Sequence, residues 1–542
     1  MPLSLSELAS GILQGVDGSV RVPLRTIPDA QVIWSATPAD AASALRSAVV
    51  IGTELDAERE VRSGFADRYG GMGILNNGGA GRAALVDDHY AKGIGQTPLI
   101  GRGQRDWHSD GDLFLEEAIR ECVFGTIMAI EAPWGCVRPT AIIDVGRREN
   151  RLYRDHAKFV QRAAIVIREN VLRPAHFERA TLFRSKEDFG GHRDEQRVES
   201  NIGQAVASLG LSGFIATYGE CWCRLAEQCA YQFIHRVSQA GLSTSNIALD
   251  GRLLDFGGAR SLPCWGAHIP GAGLTPSGSE LGDILGFLRT GGADVLGRVV
   301  SGEDLSARLD AIEQECLRRY SYRISFEVLR LVGFRRAFIT ERLLIGAAHS
   351  EFDAAIGRLI GGSRAHHAYD LSWPDDEWRW QLPEFWSENV PKSLRPLRAL
   401  CEAAASREEP IRERCRLRTR SRPELNHDNL HASIFLEFAD RHEAEGLRAS
   451  FETFSAGLVV RNRRDAIIEP KSARPIGFAA SSHESFALFR SLDDQLLACR
   501  ELDESGRPIS SPVLRAVEHL SAANIVLQDE TSRELLALWL DE

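Results

Sequence analysis

Between residues 82 and 169 the chain changes its hydrophobic period twice, and few architectures accommodate that order. RAALV (82–86) is a short apolar run of the kind that forms a strand. The stretch 112–130, DLFLEEAIRECVFGTIMAI, then places Leu115, Ile119, Val123 and Ile127 four residues apart, the spacing of one helix face. Two more β-type runs follow, RPTAIIDV (138–145) and RAAIVIRE (162–169). With QVIWSA (31–36) ahead of them, strands, one helix and strands again predict a small sheet carrying a helix. Asp110 or Asp112 is expected to cap that helix.

After residue 200 the period becomes helical. The stretch 202–241 reads as helix and closes on Gly241. NIAL (246–249) and RLLDF (252–256) flank Asp250-Gly251, which predicts a hairpin. Helices are expected again at 281–289 and from Ala307 to Leu344, and residues 345–542 read as mainly helical with a β-prone interruption at 455–462. The expected organisation is α+β in three parts: a β-rich segment over 1–172, a helical segment over 173–344 and an extension over 345–542.

Bulk properties narrow the function classes. A net charge of -11 argues against a general nucleic-acid surface. Ten cysteines without a CxxC make neither a disulfide framework nor a four-thiolate zinc site. The first twenty residues lack a basic and apolar leader, and no apolar run reaches membrane-spanning length, so a soluble cytoplasmic protein without a membrane partner is expected.

Four features carry chemistry. The run from Tyr69 to Arg82 is dense in glycine, which lets backbone N–H groups approach phosphate; a plain tight turn is the other reading. Lys92 follows a β-prone segment, and Glu121 comes 29 residues later on the helix, the separation of a phosphate-binding Lys oriented by an acid. A solvated helix charge is the bland reading of Glu121, and Glu116, Glu117 and Arg120 fit that role better. Asn246 precedes Asp255-Phe256-Gly257 by nine residues, so the two ends of a hairpin offer two oxygen ligands to one divalent cation. Arg168 and Arg173 could neutralise terminal phosphates, or be surface residues of an Arg-rich chain. Outside these, His427 and His431 have metal-pair spacing without the HExxH glutamate, and Cys221 and Cys223 sit in a helical pattern that suits the core.

Taken in order over roughly residues 65–260, these pieces resemble the SelO family of protein-kinase-like adenylyltransferases. Gly79-Ala-Gly81-Arg82-Ala83 looks like the family's GDGRA, and Lys92-Gly-Ile-Gly-Gln-Thr-Pro98 like its KGAGRTP. Asp110-Gly111 followed by Leu115 to Glu121 is similar to DGRAVLRSSIRE. Asn246 and Asp255-Phe-Gly match the end of NTDN and the DYG. The resemblance implies a two-lobed kinase-like fold, ATP bound in a flipped orientation with Mg²⁺ (or Mn²⁺), and transfer of AMP to a protein or peptide acceptor. It implies nucleotide contacts from Gly79, Gly81, Arg82, Lys92, Arg168 and Arg173, orientation of Lys92 by Glu121, and metal ligation by Asn246 and Asp255.

Two departures shape the expectation. The family's catalytic-loop Asp is Ser245 here, and a hydroxyl does not accept a proton as a carboxylate does. Asp250 is close in sequence but is expected to face away. The family's tail, with its redox cysteine pair, is not recognisable beyond residue 260. An already ionised acceptor, a role in peptide maturation of the microcin type, a phosphoryl-transferring kinase and a catalytically weak pseudokinase scaffold all remain open.

Overall fold

A computed structural model describes residues 5–51, 61–103, 111–149, 160–186, 194–263, 265, 278–363, 385–405, 415–438 and 446–458 apart from isolated positions, together with five strands within 475–527. The chain is α+β. Eight strands form one antiparallel sheet: β1 (Ser19–Thr26), β2 (Gln31–Ser35), β3 (Val49–Ile51), β4 (Val61–Asp67), β5 (Ala83–Val86), β6 (His89–Lys92), β7 (Pro139–Glu149) and β8 (Val160–Arg168). Their spatial order is β2-β7-β8-β6-β5-β4-β1-β3. The sheet is therefore larger than the sequence reading, which named no strand at β1, β3, β4 or β6.

The central strands are apolar on both faces because both are covered. Ile142, Ala164 and Val166 join the core beneath helix α3 (Leu115–Glu131). Their neighbours Ala141, Ile143, Ile165 and Ile167 point the other way, into a cluster with Ala44 and Ala48, which lie on or next to α2 (Pro38–Arg46). Alternation within an uninterrupted apolar run is what a strand buried on two sides requires. The N-terminal helix α1 (Leu5–Leu13) packs on α4 (Asp194–Leu209).

Several boundaries differ from expectation. Phe114 is the N-cap of α3 and provides no side-chain cap; Asp112 does not serve, and Asp110 lies outside the described residues. The predicted helix of 202–241 is two helices, α4 and α5 (Leu211–His235), divided at Gly210 with φ 73°. It ends at Arg236 (φ 55°), not Gly241, and the Arg236 guanidinium donates to the Pro263 carbonyl. The Asp250-Gly251 hairpin forms as expected in compact form, with Ala248 N–H donating to Arg252 O at 2.8 Å and Leu254 N–H to Asn246 O at 3.1 Å.

Beyond residue 345 the described residues are mainly helical, as read, but they also hold a sheet that the sequence reading lacked. Helices at Gly346–Ser363, Arg395–Ala404 and His427–Phe438 are followed by a five-stranded antiparallel sheet: Pro475–Ala480, Ser485–Arg490, Leu496–Cys499, Leu514–Arg515 and Val526–Leu527. Runs of six residues or fewer are too short to display a helical period, so PIGFAA and SFALFR were indistinguishable from helix fragments. Ser455 and Leu458, inside the expected β-prone interruption, are helical; 456–457 and 459–462 lie outside the described residues.

One apolar core draws on all three expected segments, including Ile119 and Val123 of α3, Trp222 and Leu225 of α5, and Leu430 and Ile434 of helix His427–Phe438. A second cluster joins Phe233 and Ile234, at the end of α5, to Phe334, Phe352, Leu397 and Cys401. Among the described residues no helix is long and apolar enough to cross a membrane.

Candidate nucleotide site

The turn entering β5 is shaped by glycine, and at position 79 no other residue fits without strain. At Gly79 φ is 143°, and a Cβ there would lie 2.2 Å from the Asp67 carbonyl oxygen. A Cβ at Gly81 would meet the Ile100 side chain at 2.4 Å. The loop so formed contributes Gly73, Asn77, Gly79, Gly81 and Arg82 to one wall of a cavity of ≈ 460 Å³, a size suited to a small ligand. The opposite wall includes Gln239, Gly241, Ser245, Asn246, Asp255 and Gly257.

Lys92 ends β6, in register with Ala83, and is buried. Its Nζ lies 2.9 Å from Glu121 Oε2, 2.9 Å from Asp255 Oδ1 and 3.6 Å from Glu117 Oε1. Burial opposes its charge, but Asp255 and Glu121 outweigh that cost and raise its pKa above the usual lysine value. Burial likewise works to raise the Asp255 carboxyl, and the charges of Lys92, Arg168 and Arg82 overcome it, holding the group well below the usual carboxylate range. Asp255 adopts φ 67°, an uncommon conformation for a non-glycine residue and one that concentrates at functional sites.

Helix α3 supplies a charged face, contrary to the expectation that Glu117 and Arg120 are solvated. Glu117, Arg120 and Glu121, spaced three and four apart, are all buried. Glu117 accepts from Arg82 at 2.6 Å, and Arg120 Nη1 donates to the Gly257 carbonyl at 3.0 Å. Glu121 also accepts from Arg168 at 3.3 Å. A residue adjoining the Asp255 turn is thus tied to the helix that holds Glu121.

The two arginines are buried, not on the surface, and neither lines the cavity. Arg168 sits over the Tyr90 ring at 5.1 Å, and Arg173 lies over Tyr69 at 4.9 Å while donating to the Ser245 carbonyl at 2.9 Å. Lys92 and Glu121 also sit outside the cavity lining; Lys92 contacts Asp255, which forms part of it, and Glu121 holds Lys92 from behind. A hydrogen-bonded network supports Arg173: its backbone N–H donates to His176 Nδ1 at 2.9 Å, and His176 Nε2 meets Asp67 Oδ2 at 3.0 Å. Accepting at Nδ1 requires the proton on Nε2, so His176 is a neutral donor to Asp67. Burial lowers its pKa, in keeping with that form. Tyr90 donates to the other Asp67 oxygen at 2.6 Å.

On the hairpin side, Asn246 Nδ2 donates to the Gly241 carbonyl at 2.6 Å, which leaves its amide oxygen for a cation. No group of three His, Cys, Asp or Glu side chains suited to a metal occurs among the described residues. A divalent ion here would rest on Asp255 and Asn246 plus ligand and water oxygens, the usual pattern for Mg²⁺. Ser245 Oγ lies 2.8 Å from Ser243 Oγ. Asp250 is directed to the Arg252 backbone N–H and Nε, facing away as its turn position suggested.

Arg260 and Gln239 also line the cavity and went unread in the sequence; His427, noted only for its spacing from His431, lines it too. His427 belongs to the extension, and its helix partner His431 lies 2.7 Å from Glu116 on α3. The i, i+4 spacing marked the helix face, but its partners lie hundreds of residues earlier. Cys221 is a core residue, as expected. No protein-family model matches the chain, and no curated protein matches it.

Proposed function

We propose that this chain is a SelO-like nucleotidyltransferase, of two-lobed kinase-like architecture, that uses Mg-ATP in the cytoplasm to transfer AMP to a protein or peptide acceptor. The observation that carries the reading is the Lys92 ammonium, held at 2.9 Å from both Glu121 and Asp255 beside a glycine-shaped cavity. The residues fit the ligand. Glycines at 79 and 81 occupy positions where a Cβ would collide, leaving backbone close to whatever fills the cavity. Buried Lys92, Arg168 and Arg173, with partly buried Arg82, supply four cations near one another.

Asn246 and Asp255 would hold Mg²⁺, or Mn²⁺ in its place, which supplies charge neutralisation on phosphate oxygens. Lys92 would bind phosphate, with Glu121 fixing its position. Arg168 and Arg173, behind the cavity lining, would add positive charge toward the departing pyrophosphate without touching it. The acceptor oxygen attacks the α-phosphorus, the bond to the β-phosphate bridging oxygen breaks, and pyrophosphate leaves. Most of the work is positioning and electrostatics, as phosphoryl chemistry demands.

Ser245 favours a second reading, a nucleotide-binding pseudokinase scaffold, because the loop carries no carboxylate. ATP labelled at the α-phosphate or at the γ-phosphate, incubated with the wild type and with Asp255→Ala, separates the cases. α-Label on protein that disappears in the variant is expected. γ-Label alone means a phosphoryl-transferring kinase. Mg-ATP raising Tm with no transfer identifies the scaffold.

A further inference from the structure

We propose that His427, from the C-terminal extension, is the proton acceptor of this site, taking the proton of the protein hydroxyl that the SelO resemblance implies as AMP acceptor. The inference rests on the adenylyltransferase reading. The catalytic loop offers Ser243 and Ser245, bonded to each other, and Asp250 is committed to Arg252. Neither loop hydroxyl is basic at neutral pH. An imidazole is the side chain suited to that task, and His427 brings one to the cavity that Asn246 and Asp255 line.

His427 is set up for proton acceptance by its neighbours. Its Nδ1 lies 3.2 Å from Asp428 Oδ1. A carboxylate only accepts, so Nδ1 carries the proton and Nε2 keeps its lone pair, the arrangement of a base oriented by an acid. Partial burial, Arg120 and Arg260 depress the imidazole pKa, while Asp428 raises it by less. The ring is therefore neutral at pH 7. Position is fixed one helical turn on, where His431 pairs with Glu116. Glu116 in turn accepts from Arg120 at 2.5 Å, and Arg120 donates to the Gly257 carbonyl. The base and the Asp255 turn thus hang on the same arginine.

In the step, Nε2 takes the acceptor's O–H proton as that oxygen bonds to the α-phosphorus and the bond to the pyrophosphate oxygen breaks. Products are a phosphodiester-linked AMP, pyrophosphate and imidazolium, which returns its proton to water. A carboxylate acceptor has no proton to give and would need no such base.

The test uses the full chain and Mg-ATP labelled at the α-phosphate. Expected for His427→Ala is a fall in label transfer of about 10²–10⁴-fold, an unchanged Mg-ATP-induced rise in Tm, and partial restoration by added imidazole. The protein-bound label resists hydroxylamine, which cleaves acyl-adenylates. Independently of activity, carbethoxylation of His427 by diethyl pyrocarbonate, mapped by peptide mass, is slowed by Mg-ATP. Transfer within two-fold of wild type in His427→Ala, or hydroxylamine-labile label, overturns this inference while leaving adenylylation intact. Wild-type protein that transfers no α-label overturns both.

Discussion

Lys92 is surrounded by more acid than it can neutralise alone, and that fact sets what its removal does. Glu121 is fully buried and Glu117 nearly so, and both depend on Lys92, Arg82 and Arg168 for compensation. Lys92→Met is expected to lower stability by about 3 kcal/mol, because it strands buried carboxylates. Urea unfolding measures the loss, and the rise in Tm on adding Mg-ATP should disappear with it. A loss below about 1 kcal/mol would show that the arginines suffice. Glu178 is a different case. It is buried, accepts from Thr244 Oγ1 at 2.7 Å, and burial pushes its pKa up to about 7. The folded state therefore keeps a proton that the unfolded chain releases near the ordinary value of 4.5, so stability falls as pH rises between these values. Glu178→Gln is expected to remove that slope and to stabilise the protein at pH 8 relative to pH 4.5 by up to about 3 kcal/mol. Equal Tm differences between variant and wild type at both pH values would refute it.

Strand and helix boundaries show where sequence was informative. β5, β7, β8 and α3 were readable because each carries a clean period or an unbroken apolar run. β1 and β4 were not, because Pro23 and Gly64 interrupt them, and both residues ordinarily argue against strand. Tertiary packing overrides that preference: Gly64 leaves room for the Leu24 side chain, which a Cβ would meet at 2.5 Å. In the site, Lys92, Glu121, Asn246 and Asp255 were legible through spacing. Glu117 and Arg120 were misread because charge alone does not say which helix face is inward. Arg260 was not read at all, and His427 was noted without its place at the site, because only the fold brings them near. Helix His427–Phe438 is held by Leu430, Ile434 and Phe438 in the core and by the half-exposed His431–Glu116 pair. His431→Ala should speed amide exchange at the start of that helix by up to about five-fold, matching a pair worth about 1 kcal/mol or less, while α3 stays protected. Gly79→Ala acts on the glycine turn instead. Its φ of 143° and the 2.2 Å contact predict a cost of about 1–3 kcal/mol and a weaker response of Tm to Mg-ATP.

At the scale of the molecule, the cavity is assembled from stretches far apart in the chain: the glycine loop, the segment from Gln239 to Asn246, the Asp255–Arg260 turn and the start of helix His427–Phe438. A ligand filling it should protect all four together. Hydrogen exchange with and without Mg-ATP measures this, and protection confined to the first three would remove the extension from the site. The wide separation also sets an order of events during synthesis. His427 follows Asp255 by 172 positions (427 − 255). At the usual 5–20 residues per second, a ribosome needs on the order of ten to thirty seconds to cover that distance. For that interval the nascent chain carries the lysine, the glycine turn and the metal-site residues without the wall that the extension provides. A finished cavity is therefore a record that synthesis has passed residue 427, and a chain interrupted before it emerges with its cleft open on one side.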